Sequence, residues 1–231
     1  MENKAGTAVK LSGLELARQL EYIRSIREQN DAYEAENGKK KKSYSLAMGC
    51  QMNAHDSEKL EGMLTEMGYE RTEAEKEADF IIYNTCCVRE NAELKVYGKL
   101  GWLKHYKETK NPNAMIALCG CMMQQKGMGE QILRQYPFVD LAFGTHNLYR
   151  FAQLMLQAVK SRRRVVEVIQ EEEGSIPEDL PVRRSSPYHA YITIMYGCNN
   201  FCSYCSMSAA ESALAPPAAF WRKHVSSRRT A

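Results

Sequence analysis

The feature that most constrains this chain is an alternation of short, continuously apolar runs with longer amphipathic stretches over residues 43–169. The apolar runs predict strands at 44–48, 80–83, 115–118 and 139–143, and each is followed by a stretch with helical spacing of its apolar residues. Short apolar strands separated by helices are typical of βαβ units, whose strands pair in parallel. The pattern therefore predicts an α/β fold, a parallel sheet with helices on both faces.

A cysteine follows each of the first three predicted strands. These are Cys50, Cys86 and Cys121, which are 36 and 35 residues apart. Open parallel sheets bind ligands at the carboxyl ends of their strands, so we expect the three thiols to face one site that is able to hold a metal. The alternative is that each is a small buried residue in a tight turn. Cys87 and Cys119 are expected to be such residues and to point away from the site.

A second cysteine group, Cys198, Cys202 and Cys205, has the spacing C-x3-C-x2-C and follows an apolar run at 191–195 that predicts another strand. Three thiolates on one loop reach three corners of an iron–sulfur cube and leave its fourth iron without a protein ligand. A structural zinc site and ordinary buried thiols are the alternatives. Zinc usually takes four ligands in paired spacings, and His224 is the only downstream candidate. The spacing favours the cluster.

Composition and charge narrow the class of protein. The chain has 231 residues, of which 44% are hydrophobic and 26% charged, as in ordinary globular domains. It shows neither a signal-peptide core nor a run of about 18 apolar residues, so we expect a cytoplasmic protein. In that reducing compartment its eight cysteines favour metal ligation over disulfides. Basic runs at 39–42 and 162–164 are suited to a phosphate backbone, although such runs are more often solvated.

The predicted organisation has five parts. Residues 1–42 form an N-terminal helical extension, expected at the periphery, and 43–169 form the α/β domain. A stretch rich in Glu, Pro and Ser at 170–187 is expected to be a linker. Residues 188–205 begin a second domain, and 206–231 form an aberrant tail with no apolar period.

Three longer motifs resemble the N-terminal domain of the methylthiotransferases. They are MGCQMN at 48–53 with DSE at 56–58, NTCCVREN at 84–91 with Lys95, and CGCM at 119–122 with Gln124. The run from Cys198 to Cys205 stands where this family has its radical S-adenosylmethionine signature, and residues 188–205 would then be the first strand and cluster loop of a radical barrel. Residues 51–53 and 88–91 resemble the MiaB-type branch, which modifies tRNA at the dimethylallyl-adenosine beside the anticodon.

The resemblance implies two 4Fe-4S clusters and S-adenosyl-L-methionine as cofactors. Cys198, Cys202 and Cys205 would hold the cluster that coordinates S-adenosylmethionine, and Cys50, Cys86 and Cys121 would hold an auxiliary cluster linked to sulfur donation. A 5'-deoxyadenosyl radical would abstract hydrogen from carbon, and sulfur and then a methyl group would replace it. The implied partners are tRNA and an electron donor, without a membrane, and no side chain is assigned a catalytic role.

The resemblance stops after Cys205, and the tail at 206–231 resembles a frame-shifted or truncated end. Since the family's remaining barrel strands would supply most contacts to S-adenosylmethionine, we expect this polypeptide to be inactive alone. Other classes stay open at this point. They are an iron–sulfur or scaffold module without catalysis, a methylthiotransferase for another tRNA base or a ribosomal protein, and a zinc-stabilised nucleic-acid binder, which is disfavoured because paired ligands are absent.

Overall fold

A computed structural model describes most of the two predicted domains. The described residues are 6–7, 9–10, 12–86, 90–169, 175–176, 180–193, 195–198 and 210–214, with side chains over 12–86, 95–169 and 180–193. The elements in chain order are β1 (Gly6–Thr7), β2 (Val9–Lys10), α1 (Gly13–Asn37), β3 (Lys42–Ala47), α2 (Gln51–Glu66), β4 (Glu70–Arg71), β5 (Phe80–Thr85), α3 (Glu90–Thr109), β6 (Met115–Gly120), α4 (Met128–Gln135), β7 (Leu141–Phe143), α5 (Phe151–Ser161), β8 (Val165–Glu167), β9 (Ser175–Ile176), β10 (Met195–Cys198) and β11 (Ala210–Leu214).

Six of the strands form one sheet in the order β4-β3-β5-β6-β7-β8, and every pair in it is parallel. Helices α1, α2 and α5 pack on one face, around a cluster that includes Leu60, Phe80 and Phe143. Helices α3 and α4 pack on the other face, around Tyr83 and Leu100. The predicted α/β fold, a parallel sheet with helices on both faces, is confirmed.

The edge strands and some helix boundaries differ from the sequence prediction. Strands β4 and β8 have two and three residues, which is too short for an apolar pattern to show. Helix α4 begins only at Met128, after Gly127 adopts a φ of +77° that interrupts the helical pattern. Helix α5 is preceded by a 3-10 turn, Thr145–Arg150. In the described parts of the chain, no helix has the length and apolarity needed to cross a membrane.

Helix α1 is packed into the domain. Ser12 is the N-cap of this helix, and its hydroxyl oxygen accepts a hydrogen bond from the Glu15 amide at 3.1 Å. Gly38 ends the helix with a φ of 68°. Ile23 and Ile26 are buried in the core cluster shared with α2 and α5. The charge-rich pattern of α1 predicts a peripheral helix. Its charged residues do lie on the solvent side, but the opposite face of the helix belongs to the core.

The second half of the predicted linker packs against α2. Leu180 is buried in the core cluster, and the Arg183 amide donates to Glu58 O at 2.9 Å. Gly62 lies so close to this segment that a Cβ there would be 2.4 Å from Pro181 O. Residues 180–186 are therefore fixed on the domain by contacts that their composition does not reveal.

The strand predicted at 191–195 is displaced. Residues 191–193 have no regular structure, and β10 begins at Met195. It pairs antiparallel with β11, which lies in the predicted tail, and β11 pairs in parallel with β1. A separate short pair joins β2 to β9 in parallel. The domain boundaries themselves stay a prediction.

Candidate functional site

The three strands that precede the predicted ligand cysteines are neighbours in the sheet and end at the same level. Asn84 pairs with Ala47 on one side and with Cys119 on the other. Cys50 follows β3 as the N-cap of α2, while Cys86 and Cys121 directly follow β5 and β6. The fold therefore places Cys50, Cys86 and Cys121 in three adjacent turns at the carboxyl edge of the sheet.

Two glycines allow these turns to lie close together. Gly49 and Gly120 each precede one of the cysteines and have φ values of +104° and +99°, a region that favours glycine. A Cβ on Gly49 would be 2.3 Å from Cys86 Cβ and 2.5 Å from Cys86 Sγ. A Cβ on Gly120 would be 2.3 Å from Thr85 O. Both outer turns thus close onto the central turn only because these positions lack a side chain.

Buried amide side chains hold the same turns in place. Asn53 Nδ2 donates to Met48 O at 2.7 Å and to Thr85 O at 2.9 Å. Asn84 Nδ2 donates to Asn53 O at 2.8 Å. Both amides are almost fully buried, where losing such a hydrogen bond costs about 1–3 kcal/mol. They fix the first turn of α2, and with it Cys50, against the turn after β5.

The thiols differ in exposure. Cys50 is exposed, Cys86 is buried and Cys121 is half-buried, with its Sγ 3.5 Å from Thr85 O. Within the part of the chain whose side chains are described, no three His, Cys, Asp or Glu residues form a group that is able to hold a metal ion. A shared site for the three cysteines therefore stays a prediction.

Local features of these turns nevertheless suit a thiolate-bound cluster. Cys50 lies at the positive end of the α2 dipole, which favours a negatively charged ligand set. Gly49 and Gly120 provide the close approach of the turns, and the exposed Cys50 leaves the edge accessible from solvent. Cys198 is the last residue of β10, while Cys87, Cys202 and Cys205 lie outside the described residues.

Cys119 has a different environment from its neighbour Cys121. It is buried in the apolar cluster with Leu141 and Phe143. Burial raises the pKa of the Cys119 thiol well above its ordinary value, and the charge of Asp56 adds to this effect. A thiol that stays protonated is a poor metal ligand. The predicted burial of Cys119 is confirmed, although the residue lies within strand β6 and not in a tight turn. That its thiol points away from a shared site stays a prediction.

Helix α2 carries a buried cluster of charged side chains that the sequence pattern does not predict. His55, Asp56, Glu58 and Lys59 are all at least nine-tenths buried. Lys59 Nζ lies 3.4 Å from Asp56 Oδ1, and His55 Nδ1 lies 4.0 Å from Glu58 Oε2. The only sequence signal was the Asp56-Ser57-Glu58 motif, in a stretch where the helical spacing of apolar residues predicts burial of other positions.

This cluster connects α2 to the segment at 180–193. Glu58 Oε1 accepts hydrogen bonds from the Ser185 amide at 2.9 Å and from Ser185 Oγ at 2.6 Å. The ring of Tyr191 lies 5.9 Å from that of His55. The same segment continues to β10 and Cys198. Helix α2 therefore links the turn that carries Cys50 to the chain that leads to the second cysteine group.

Asp56 is expected to make stability depend on pH. Burial raises the pKa of Asp56 above its ordinary value of 3.8, with the charge of Lys59 opposing the shift. The native state then holds this proton more tightly than the unfolded state, so the free energy of unfolding falls as pH rises above about 3.8 towards the raised pKa. The slope reaches at most about 1.4 kcal/mol per pH unit. Asp56→Asn should remove this decrease in urea titrations at several pH values.

The matched control is Asp31→Asn, which changes an exposed carboxylate on α1 that pairs with Arg27. Its pH profile should keep the decrease seen in the unchanged chain. An Asp56→Asn profile parallel to that of the unchanged chain would contradict the assignment.

Comparison with known proteins places this site in a family. Residues 42–144, which include all three strand-end cysteines, match the uncharacterized protein family UPF0004. The tRNA-2-methylthio-N(6)-dimethylallyladenosine synthase of Acetivibrio thermocellus is 53% identical over 197 residues, which is 85% of this chain and 41% of that protein. Over most of its length, this chain is similar to a tRNA methylthiotransferase.

Two other relatives give the same result. The synthase of the same name from Clostridium tetani is 59% identical over 157 residues, covering 68% of this chain and 34% of that protein. The synthase from Clostridioides difficile is 52% identical over 190 residues, which cover 82% of this chain and 39% of that protein. The chain spans between 34 and 41% of the length of such curated methylthiotransferases.

Proposed function

We propose that this chain acts in tRNA modification, in the radical S-adenosylmethionine-dependent methylthiolation of the dimethylallyl-adenosine beside the anticodon. The names of its relatives support the substrate and the reaction. The observation that carries the proposal is the close approach of three cysteine-bearing turns, with glycine at the two positions where a side chain would separate them. Such an arrangement suits a cluster ligated from three strand ends.

In this proposal the two cysteine groups have separate cofactors. Cys50, Cys86 and Cys121 hold an auxiliary 4Fe-4S cluster, and Cys198, Cys202 and Cys205 hold a second one with S-adenosyl-L-methionine. When bound, these groups supply the electron that cleaves S-adenosylmethionine and the sulfur that is donated. The reaction needs an external electron donor. A cytoplasmic location, where thiols stay reduced, completes the proposal.

The chain's own residues position these groups. Gly49 and Gly120 keep the three turns together, and the amide of Asn53 anchors Cys50 to the turn after β5. The Glu58–Ser185 hydrogen bonds fix the segment that leads to Cys198 on the helix that begins at Cys50. Both cysteine groups are thus tied to α2, which favours a common function for them.

A chimera tests the function. The matched 197 residues of the Acetivibrio thermocellus synthase are replaced by the corresponding residues of this chain, and the product is expressed in cells that lack their own methylthiotransferase. Mass spectrometry of digested tRNA should show the 2-methylthio derivative of dimethylallyl-adenosine. We expect product because the replaced part would carry the auxiliary-cluster cysteines in turns of the same geometry.

The control is the same chimera with Cys50, Cys86 and Cys121 replaced by Ala, which should give no methylthio product. A second control carries Cys119→Ala and should keep activity, since Cys119 lies in the core. A chimera that folds and binds iron but yields no methylthio-adenosine would overturn the proposal. That result would favour an iron–sulfur scaffold without catalysis.

A further inference from the structure

A broad groove lies at the amino-terminal edge of the sheet, opposite the cysteine edge. Its volume is about 1510 Å³, and residues from the C-terminal ends of α1, α3 and α5 line it together with the start of β3. The two basic runs of the sequence, 39–42 and 162–164, both line this groove although about 120 residues separate them. The fold thus combines two basic segments into one surface.

The groove carries a positive excess. Nine of its lining residues are Lys or Arg, and five are Asp or Glu. Three of the five carboxylates already have partners. Asp79 Oδ2 accepts the Lys42 amide at 2.9 Å, Asp140 Oδ2 accepts the Ile116 amide at 2.8 Å, and Glu77 lies 2.8 Å from Lys42 Nζ. Asp79 and Asp140 hold the strand ends and keep their negative charge, so the groove has four more cationic than anionic side chains, nine against five.

Several cations of the groove face solvent. Lys39, Lys40 and Arg163 are exposed, and in the part of the chain that the structure describes none of the three lies within 4.0 Å of a carboxylate. Among the residues whose side chains are described, the exposed large apolar ones are Leu14, Leu20, Met52, Trp102, Val182 and Tyr188, and none of these lines the groove. A membrane-binding surface would need such apolar side chains in order to insert.

We propose that this groove binds the phosphate backbone of the RNA substrate, away from the base that is modified. The inference rests on the proposed tRNA substrate. Strand β3 has six residues, so the groove lies about 20 Å from the cysteine edge. A folded RNA whose modified base is held at the cysteine edge has phosphates at that distance. The groove then contributes affinity and orientation, without reading the base sequence.

Phosphate binding by these cations makes two measurable predictions. Each phosphate contact releases condensed counterions, so the logarithm of the association constant falls with the logarithm of salt concentration by about 0.7 per contact for a single strand. Three lost contacts should therefore lower the magnitude of this slope by about 2. They should also weaken binding by about tenfold or more at about 0.1 M salt.

The experiment uses the full 231-residue chain and a fluorescently labelled anticodon stem–loop RNA. The groove variant combines Lys39→Gln, Lys40→Gln and Arg163→Gln. The matched control combines Arg24→Gln, Lys104→Gln and Arg134→Gln, which removes three exposed charges on other surfaces. Circular dichroism checks that both variants fold. Anisotropy titrations over a range of salt concentrations should show the weaker binding and the smaller slope for the groove variant alone.

Equal RNA affinity and equal salt slopes for the two variants would overturn the inference. So would a groove variant that loses binding to vesicles of phosphatidylglycerol and phosphatidylcholine while it keeps RNA binding. The chimera assay separates this result from the proposed reaction. An active chimera together with equal RNA binding by the two variants would contradict the groove inference alone. An inactive chimera, together with weaker RNA binding by the groove variant only, would contradict the proposed reaction and support the groove inference.

Discussion

Replacing Gly120 with Ala is expected to lower the free energy of unfolding by about 3 kcal/mol or more and to disrupt the cysteine edge. The new Cβ would be 2.3 Å from Thr85 O and 2.4 Å from Asn84 Oδ1, and the φ of +99° disfavours any residue with a Cβ. Backbone strain of this kind costs about 1–3 kcal/mol, and overpacking adds a similar amount. Urea unfolding followed by circular dichroism measures the change.

Gly101→Ala is the matched control. Gly101 lies within α3, and a Cβ there would have no neighbour within 4 Å. Alanine in a helix is favoured over glycine by about 0.5–1 kcal/mol, so this variant should be slightly more stable than the unchanged chain. Comparable destabilisation by the two substitutions would show that the turn after β6 does not need glycine.

Simultaneous replacement of Cys50, Cys86 and Cys121 by Ala is expected to abolish most of the iron that the chain retains after anaerobic reconstitution. These residues belong to a domain with its own sheet and two apolar clusters, which is expected to fold without the second cysteine group. Iron and sulfide analysis, together with the absorption of the cluster, measures the loss. Replacing Cys198, Cys202 and Cys205 should have a smaller effect.

Cys119→Ala controls for the removal of a thiol from the same edge. Cys119 is buried in the core, so its loss should reduce stability slightly and leave the iron content unchanged. The prediction that most of the retained iron is bound by Cys50, Cys86 and Cys121 would be wrong under one outcome. In that outcome the variant without these three thiols keeps its iron, and the variant without Cys198, Cys202 and Cys205 loses it.

The position of the cysteine turns followed from the sequence because it depends on a local pattern repeated along the chain. An apolar run long enough to be a buried strand sets the end of each strand. Cys86 and Cys121 come directly after β5 and β6, and Cys50 lies three residues after the end of β3. Parallel pairing then brings the three ends to one edge of the sheet. Even so, the contact of Gly49 with Cys86 depends on the neighbouring strand, which local sequence does not specify.

The burial of polar residues on α2 was beyond sequence reasoning for a related reason. His55, Glu58 and Lys59 have the composition of an exposed helix face, and burial depends on the segment at 180–193 that covers it. That segment is about 120 residues away in sequence, and its first part, 180–187, has the composition of a linker. Its hydrogen bonds to Glu58 compensate the burial of polar groups, which a pattern of apolar spacing cannot detect.

The sequence by itself determined the parallel α/β sheet, the edge at which the cysteines lie and the similarity to methylthiotransferases. These depend on residue type and spacing over short distances, which strand and helix geometry convert directly into position. Only the tertiary structure decided that α1 and residues 180–186 pack on the domain and that two basic runs meet in one groove. Those contacts join segments far apart in the chain, and their free energy comes from surfaces that exist only once the sheet and its helices have assembled.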